Sequence, residues 1–122
     1  MNILLSLLIA LILILHLYFV WLEMFAWTTH GKKAFAGLRM PDDFFIQTKA
    51  MAANQGLYNG FLVAGLVWSF LIEDINWSEN VAIFFLGCIA VAGIYGALTV
   101  QRSIFYIQGL PAIIAIVLLC TN

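Results

Sequence analysis

Long apolar stretches separated by short polar segments dominate this chain. Four such stretches lie at about 3–27, 50–72, 81–100 and 104–120. Their lengths are close to the roughly 20 residues that a helix needs to cross the hydrocarbon core of a bilayer. None shows the alternation of apolar and polar positions that is typical of membrane β-barrel strands. The pattern therefore predicts an all-α, integral membrane four-helix bundle, formed as a single domain over residues 1–122.

The first and fourth stretches have features of their own. The first follows Met1-Asn2 without a cluster of basic residues and contains no small-residue cleavage signal, so we expect a retained spanning helix and not a signal peptide. The fourth is short and contains Pro111 soon after Gly109. Because a proline inside a helix removes a backbone hydrogen bond, we expect a kink there.

The basic residues predict the orientation of the spans. All five lie in two segments that a four-span chain places on the same side, and the acidic loop with Glu73, Asp74 and Glu79 lies on the other. Short loops rich in lysine and arginine stay in the cytoplasm, so we expect these two segments inside and both termini outside. The basic residues are Lys32, Lys33, Arg39 and Lys49 between the first and second spans, and Arg102 between the third and fourth.

The longer cytoplasmic loop contains a second helical signal. The sequence Pro41-Asp42-Asp43-Phe44-Phe45 is typical of a helix start and predicts a short interfacial helix with both phenylalanines at the membrane surface. Trp27 at the inner end and Trp77 at the outer end fit the aromatic belts of a bilayer, where we expect them to act as anchors.

The composition supports the membrane assignment and limits the partners. Hydrophobic residues make up 65% of the chain and charged residues 9%, whereas soluble domains carry about 25% charged residues. The net charge of −1 provides no basic surface for nucleic acid, so the lipid bilayer is the expected partner. Cys88 and Cys120 both lie in apolar runs, where buried, inert thiols are expected.

Polar side chains inside the spans are the candidate functional residues. His16 and Glu23 fall on one helical stripe, within about 60° of each other. At a rise of 1.5 Å per residue, most of the set lies roughly 6–8 Å inside the cytoplasmic end, with His16 and Asn59 deeper, at roughly 13–17 Å. We expect a polar pocket open to the cytoplasm and closed towards the outer leaflet by apolar packing. The predicted ligand-binding or proton-linked residues are His16, Glu23, Asn54, Gln55, Tyr58, Asn59, Tyr95, Arg102 and Gln108.

Structural roles compete with functional ones at these positions. Glu23 either pairs with Arg102 or Lys49 as a tie between helices, or faces only amides and exchanges a proton. The asparagine and glutamine side chains also fit simple interhelical hydrogen bonding. We expect His16 to be neutral and hydrogen-bonded to Asn59 or Tyr58, either as a satisfied core residue or as part of a binding site.

Small residues mark the faces on which helices approach each other closely. The residues that we assign to helix packing are Gly56, Gly60 and Ala64 on the second span and Gly93 and Ala97 on the third. They serve contacts within one chain or between copies in a homo-oligomer, and the sequence leaves both open. No ligand spacing suggests a metal site, and no phosphate-binding or nucleophile motif suggests a cofactor.

Four stretches of this sequence resemble a known family along essentially the whole chain. They are HLYFVWLEMFAWTT, QTKAMAANQGLYNGFLVAGLVW, VAGIYGALTV and QGLPAI. They resemble an uncharacterised bacterial family of small four-helix membrane proteins, domain of unknown function 1304. The resemblance implies a multi-pass protein of the bacterial inner membrane and implies no activity. The family's recurrent blocks are those that carry the candidate residues, except Arg102.

Three functions fit these observations. The first is binding or transport of a small polar or amphipathic molecule, with Glu23 exchanging protons. The second is an intramembrane enzyme with the architecture of the membrane-bound glutathione transferases. In it, Tyr95 or Tyr58 supplies a hydroxyl group, and a carboxylate-bearing ligand is held by Arg102, Lys49, Asn54 and Gln55. The third is a structural or accessory subunit. We favour the first, although the five-to-zero distribution of basic residues argues against the antiparallel dimers of small multidrug exporters.

Overall fold

The computed structural model describes residues 1–121, which form helices joined by short turns and contain no β-strand. The prediction of an all-α fold is thus confirmed. Within the described residues there are six α-helices, together with π-helical turns at Trp27–Gly31 and Phe105–Gly109 and a 3-10 turn at Ala36–Leu38. The α-helices are α1 (Ile3–Phe25), α2 (Lys32–Ala34), α3 (Asp42–Gln47), α4 (Lys49–Leu71), α5 (Ile75–Thr99) and α6 (Leu110–Thr121).

The chain divides into two units, each with its own internal packing. The terminal unit consists of Met1–Ile14 and Leu62–Asn122, and the central unit is Leu15–Phe61. The boundaries fall inside α1 and α4, so each of these long helices contributes one half to each unit.

An apolar core fills the terminal unit. Its largest fully buried side chains are Leu5, Ile9, Leu66, Leu86 and Ile89. Alanines from α5 and α6 complete the core and allow the helices to approach closely. This burial of branched apolar side chains against small ones explains why the apolar stretches pack as helices with few voids.

Two buried serines connect α4 to α5 within the terminal unit. The Ser78 hydroxyl donates to the Ser69 carbonyl at 2.6 Å, and the Ser69 hydroxyl donates to the Leu66 carbonyl at 2.6 Å. Each hydroxyl therefore has an acceptor, which removes the cost of burying an unpaired polar group.

The helix that contains the predicted third span starts six residues before that span. Helix α5 begins at Ile75, not at residue 81, because the Asp74 side chain caps it by accepting a 3.0 Å hydrogen bond from the Trp77 backbone N–H. Trp77 and Glu79, which the sequence places in a loop, therefore belong to the first turns of the helix. Glu79 lies 3.5 Å from the amino group of Met1.

The C-terminal hairpin of the terminal unit has the distortion that Pro111 predicts, although its form is different. Residues Phe105–Gly109 form a π-helical turn, and α6 begins directly after it at Leu110. Pro111 has no N–H to donate to the carbonyl four residues earlier, and a wider π turn before the proline accommodates that loss.

A cluster of aromatic rings organises the connection between α1 and α4 in the central unit. The Trp27 ring packs against Phe35 and Phe45 with centroid distances of 5.5 and 5.2 Å, and its indole N–H donates to the Thr48 hydroxyl at 3.0 Å. The predicted short helix exists as α3, but Phe45 is buried and Phe44 half-buried. The Phe45 ring is thus not available to lie on a membrane surface, because it packs against Trp27 in this cluster, and the placement of Phe44 at such a surface stays a prediction.

Within residues 1–121, two helices are long and apolar enough to cross a membrane, α1 and α5, and the segment Phe105–Thr121 is a shorter apolar helix. Helix α4 is as long as α1 but carries asparagine and glutamine on its first half. Four membrane spans and their orientation remain predictions.

Candidate functional site

The second half of α1 packs against the first half of α4 through glycine in the central unit. A Cβ atom at Gly56 would lie 2.5 Å from Met24 Cγ and 3.1 Å from Glu23 Cβ, so only glycine permits this approach. Four residues further along α4, a Cβ at Gly60 would lie 4.0 Å from Val20 Cγ2. These contacts define an antiparallel register in which Met24 lies opposite Gly56 and Val20 opposite Gly60.

This register brings Glu23 to Asn59. The Asn59 side-chain amide donates a 2.5 Å hydrogen bond to Glu23 Oε1. Both side chains are half-buried. Of the alternatives for Glu23, the structure therefore shows an amide partner. Lys49, a predicted ionic partner in the same unit, is exposed.

The contact between Glu23 and Asn59 is closer than their positions in the sequence suggest. Counting from the ends of the apolar stretches separates the two residues by about 7 Å or more along the helix axis. In the structure the Asn59 amide reaches Glu23, and the Trp27 indole in the connection reaches Thr48, just before α4. The depths of both residues in a membrane stay predictions.

The other candidate residues on α4 lie on its exposed side. Asn54, Gln55 and Tyr58 are exposed, and the Asn54 amide donates to the Ala50 carbonyl of its own helix at 3.2 Å. Gln55 lies one helical turn before Asn59 on the same face. The Tyr58 ring lies 6.1 Å from the ring of Phe61, with both rings more than half exposed. The Glu23–Asn59 pair is thus bordered by amide and aromatic groups that are accessible.

His16 is the most deeply buried of the candidate residues, with 1% of its surface exposed. Its ring meets the edge of Phe19 at a centroid distance of 5.3 Å. The Asn59 amide donates to Glu23, and the Tyr58 side chain is 55% exposed. The hydrogen bond of His16 to either residue stays a prediction.

The remaining three candidates belong to the terminal unit. Tyr95 is 68% exposed, Arg102 is exposed and Gln108 is half-buried. The convergence of all nine residues on one pocket therefore stays a prediction.

Among the small residues that we assign to helix packing, Gly56 and Gly93 make the tightest contacts. A Cβ at Gly93 would lie 2.6 Å from the Cα of Gly109, so this position supports the hairpin of α5 with the following π turn. Ala97 is half-buried, and Ala64 is exposed. Both tight glycine contacts occur within one chain.

The structure also reveals polar contacts that sequence reasoning missed. Lys32 Nζ lies 2.9 Å from Asp42 Oδ1 across the connection, and Trp27 bonds to Thr48. No periodic signal marks these pairs, because their spacing depends on the path of an irregular segment. Residue types that favour such a path, a glycine at position 31 and a proline at 41, were the only indication in the sequence.

The chemistry available at this site follows from the single amide partner. Within residues 1–121, Asn59 is the side chain that hydrogen-bonds Glu23, and it occupies Oε1. Oε2 remains available to a proton or to a cationic ligand. An amide carries no charge, so it leaves the charge of an ionised Glu23 uncompensated.

Comparisons with known proteins match almost the whole chain. The family model described as "Protein of unknown function (DUF1304)" matches residues 10–120. The "Uncharacterized protein YpaA" of Lactococcus lactis subsp. lactis (strain IL1403) is 30% identical over 117 residues, which are 96% of this chain and 94% of that protein. No solved structure matches. The region matched by the family model includes all nine candidate residues.

Proposed function

This chain belongs to the DUF1304 family of proteins of unknown function, and from that premise we propose that it is a small multi-pass inner-membrane protein that binds an amphipathic cation at Glu23. Transport coupled to protons is the activity that this binding would serve. The hydrogen bond between Glu23 and Asn59 is the observation that carries the proposal.

An ionised carboxyl group in an apolar helix raises the free energy of the folded protein in a membrane unless a counter-charge compensates it, so a carboxyl group without one points to a functional role. Insertion scales put a charged residue at the helix centre at about 2.5–3.5 kcal/mol, and less near an interface. A purely structural tie would offset this cost best with a lysine or arginine. An amide partner orients the carboxyl group and leaves it free to exchange a proton for another cation.

The surroundings of this pair favour a ligand that is both cationic and apolar. Tyr58, the neighbour of Asn59 in sequence, presents an exposed ring beside the exposed ring of Phe61. Aromatic faces attract organic cations. A carboxylate near such rings suits a lipophilic cation better than a metal ion or an anion.

Binding of tetraphenylphosphonium to the detergent-purified protein tests the proposal. We expect Glu23→Gln to weaken binding about tenfold or more, because the ligand loses a charged partner. Glu73→Gln removes the same charge from an exposed position outside α1 and α4, so it is the matched control and should bind like the parent protein. Isothermal titration calorimetry gives both affinities.

The proton-linked part of the proposal has its own measurement. In a weakly buffered solution, tetraphenylphosphonium binding should release protons from the parent protein and from Glu73→Gln, but not from Glu23→Gln. Electrophysiology on solid-supported membranes with reconstituted protein should then show charge movement that depends on Glu23. Equal binding by the parent and Glu23→Gln, with a change only in melting temperature, would contradict the proposal and favour an accessory role.

A further inference from the structure

The central unit contains a second polar region, separate from Glu23. A cleft of about 580 Å³ opens in the connection between α1 and α4. Four charged side chains line it, Lys32, Asp42, Asp43 and Lys49, together with the hydroxyl-bearing Thr28. We call this region the connector cleft.

The charges of the connector cleft balance in number but are not all used within the protein. Lys32 and Asp42 form an ion pair at 2.9 Å. Lys49 forms no ion pair with any other described residue, and Asp43 accepts only a 3.1 Å hydrogen bond from the neutral amide of Gln47. One cation and one carboxylate thus remain for a ligand that carries both charges.

Exposed apolar side chains adjoin these charges. Phe45 and Ile46 also line the cleft, and Ile46 is 69% exposed. Phe25, the last residue of α1, and Met51, in the first turn of α4, are exposed to a similar degree. A charged cleft next to apolar helix ends is the environment of the boundary between headgroups and acyl chains.

We propose that the connector cleft binds the headgroup of an ethanolamine phospholipid, with its phosphate at Lys49 and its ammonium group at Asp43. A primary ammonium donates hydrogen bonds to a carboxylate, whereas a quaternary choline has no N–H to donate. A headgroup with a net negative charge would leave Asp43 without a compensating ammonium, because Lys32 is already paired with Asp42. This inference goes beyond the Glu23 site and shares with the proposed function only the placement of the helices in a membrane.

Native mass spectrometry of the detergent-purified protein, supplied in turn with phosphatidylethanolamine, phosphatidylcholine and phosphatidylglycerol, tests the assignment. We expect the ethanolamine lipid to be retained about tenfold or more better than either of the others, since two charge-assisted contacts depend on its headgroup. Lys49→Gln and Asp43→Asn should each abolish most of this preference. Lys33→Gln changes an exposed lysine that does not line the cleft, so this variant should keep the preference for the ethanolamine lipid.

Additional experiments distinguish a lipid headgroup from a soluble phosphate ester, and the connector cleft from the Glu23 site. Inorganic phosphate and glycerophosphoethanolamine should not displace the lipid at equal concentration, and displacement by either would overturn the lipid assignment in favour of a soluble phosphate ester. Equal retention of all three lipids, or no effect of the two variants despite an unchanged circular dichroism spectrum, would also overturn it. Lys49→Gln should bind tetraphenylphosphonium normally, and Glu23→Gln should retain the lipid, so failure at one site leaves the other assessable.

Discussion

At Glu23, the hydrogen bond from Asn59 does two things at once. It connects α1 to α4 at a point where Gly56 has already brought the two backbones close together. It also satisfies only one carboxyl oxygen, so the residue keeps the capacity to bind. A substitution at either end should therefore change the stability of the protein and, under the proposed function, its affinity for the cation.

Replacing Asn59 with alanine should destabilise the protein, because it leaves a half-buried carboxyl group without its donor. Interhelical hydrogen bonds in membranes contribute about 0.6 kcal/mol on average and up to about 2 kcal/mol, and we expect Asn59→Ala to fall in the upper part of that range. Asn54→Ala, at an exposed position whose amide bonds only to its own helix, should change the free energy of unfolding by about 0.5 kcal/mol or less. Unfolding in mixed micelles, followed by circular dichroism, measures both. Equal losses for the two variants would show that the Glu23 contact is not the cause.

At Asp42, the hydrogen bond from Lys32 and then the charge of Lys32 hold the pKa of the carboxyl group below its usual value. A carboxyl group with a lowered folded-state pKa contributes stability above its unfolded-state pKa, about 3.9. That contribution is lost as the pH falls through the lower, folded-state pKa. We expect Lys32→Gln to raise the pKa of Asp42 towards its usual value and Lys33→Gln to leave it unchanged. Carbon-13 NMR titration of the Asp42 carboxyl group in micelles reports it. Titration at the same pH in the parent and in Lys32→Gln would refute the pairing.

Sequence reasoning at the residue scale identified Glu23 and Asn59 but not their contact. The types of residue were informative, because polar groups in apolar helices are uncommon and demand partners. The choice of partner depended on a shift of a few residues between α1 and α4. That shift comes from the Trp27 cluster and the Thr48 hydrogen bond in the connection, which have no repeating pattern to reveal them.

The packing of α5 requires a glycine at position 93. Gly93 faces the backbone of Gly109, and its neighbours are main-chain atoms that cannot move without displacing the π turn. Gly87 lies on the same helix, and beyond its chain neighbours and the nearby backbone of α5 itself, no atom lies within 4 Å of the position that a Cβ would occupy. The two glycines thus separate the packing effect of a methyl group from its effect on helix propensity.

Gly93→Ala should lower the free energy of unfolding by about 1–3 kcal/mol, as overpacking does elsewhere. Gly87→Ala should raise it by about 0.5–1 kcal/mol, because alanine loses less backbone entropy than glycine in a helix. Circular dichroism at 222 nm during thermal unfolding gives the order of the three melting temperatures. An equal gain at both positions would mean that α5 and the Phe105–Gly109 turn are not in close contact.

Apolar length predicted where helices lie, and local chemistry decided where they begin and end. Residues 50–72 became Lys49–Leu71, a shift of one residue at each end. Residues 81–100 became Ile75–Thr99, because the cap at Asp74 extends α5 through a polar segment that a hydrophobicity criterion rejects. Residues 104–120 became a π turn followed by α6, since the backbone around Pro111 does not follow a uniform α-helical path. Helix capping and proline geometry determine where these helices begin, and the number of apolar residues in a stretch carries no information on either.

For the whole molecule, the distribution of charge is the strongest information on orientation. Three of the five basic residues lie between α1 and α4, Lys49 is the first residue of α4, and Arg102 lies between α5 and α6. A chain inserted in both orientations would need similar numbers on both sides. The two proposed binding regions also depend on this asymmetry, because it determines from which side of the membrane a cation or a headgroup would enter.

Cysteine accessibility tests that orientation directly. In a background with Cys88→Ser and Cys120→Ser, the substitutions Lys33→Cys, Ser103→Cys and Glu73→Cys each place one thiol at an exposed position. The positive-inside rule predicts that an impermeant maleimide added to intact bacterial cells labels only Glu73→Cys, and that all three are labelled after permeabilisation. Labelling of Lys33→Cys in intact cells would invert the topology, and labelling of all three would show dual insertion. Ser103→Cys is the decisive position. If it is labelled like Lys33→Cys, the chain crosses the membrane an even number of times between residues 33 and 103. Four spans give two crossings there, by α4 and α5, whereas a protein spanned by α1 and α5 alone gives one.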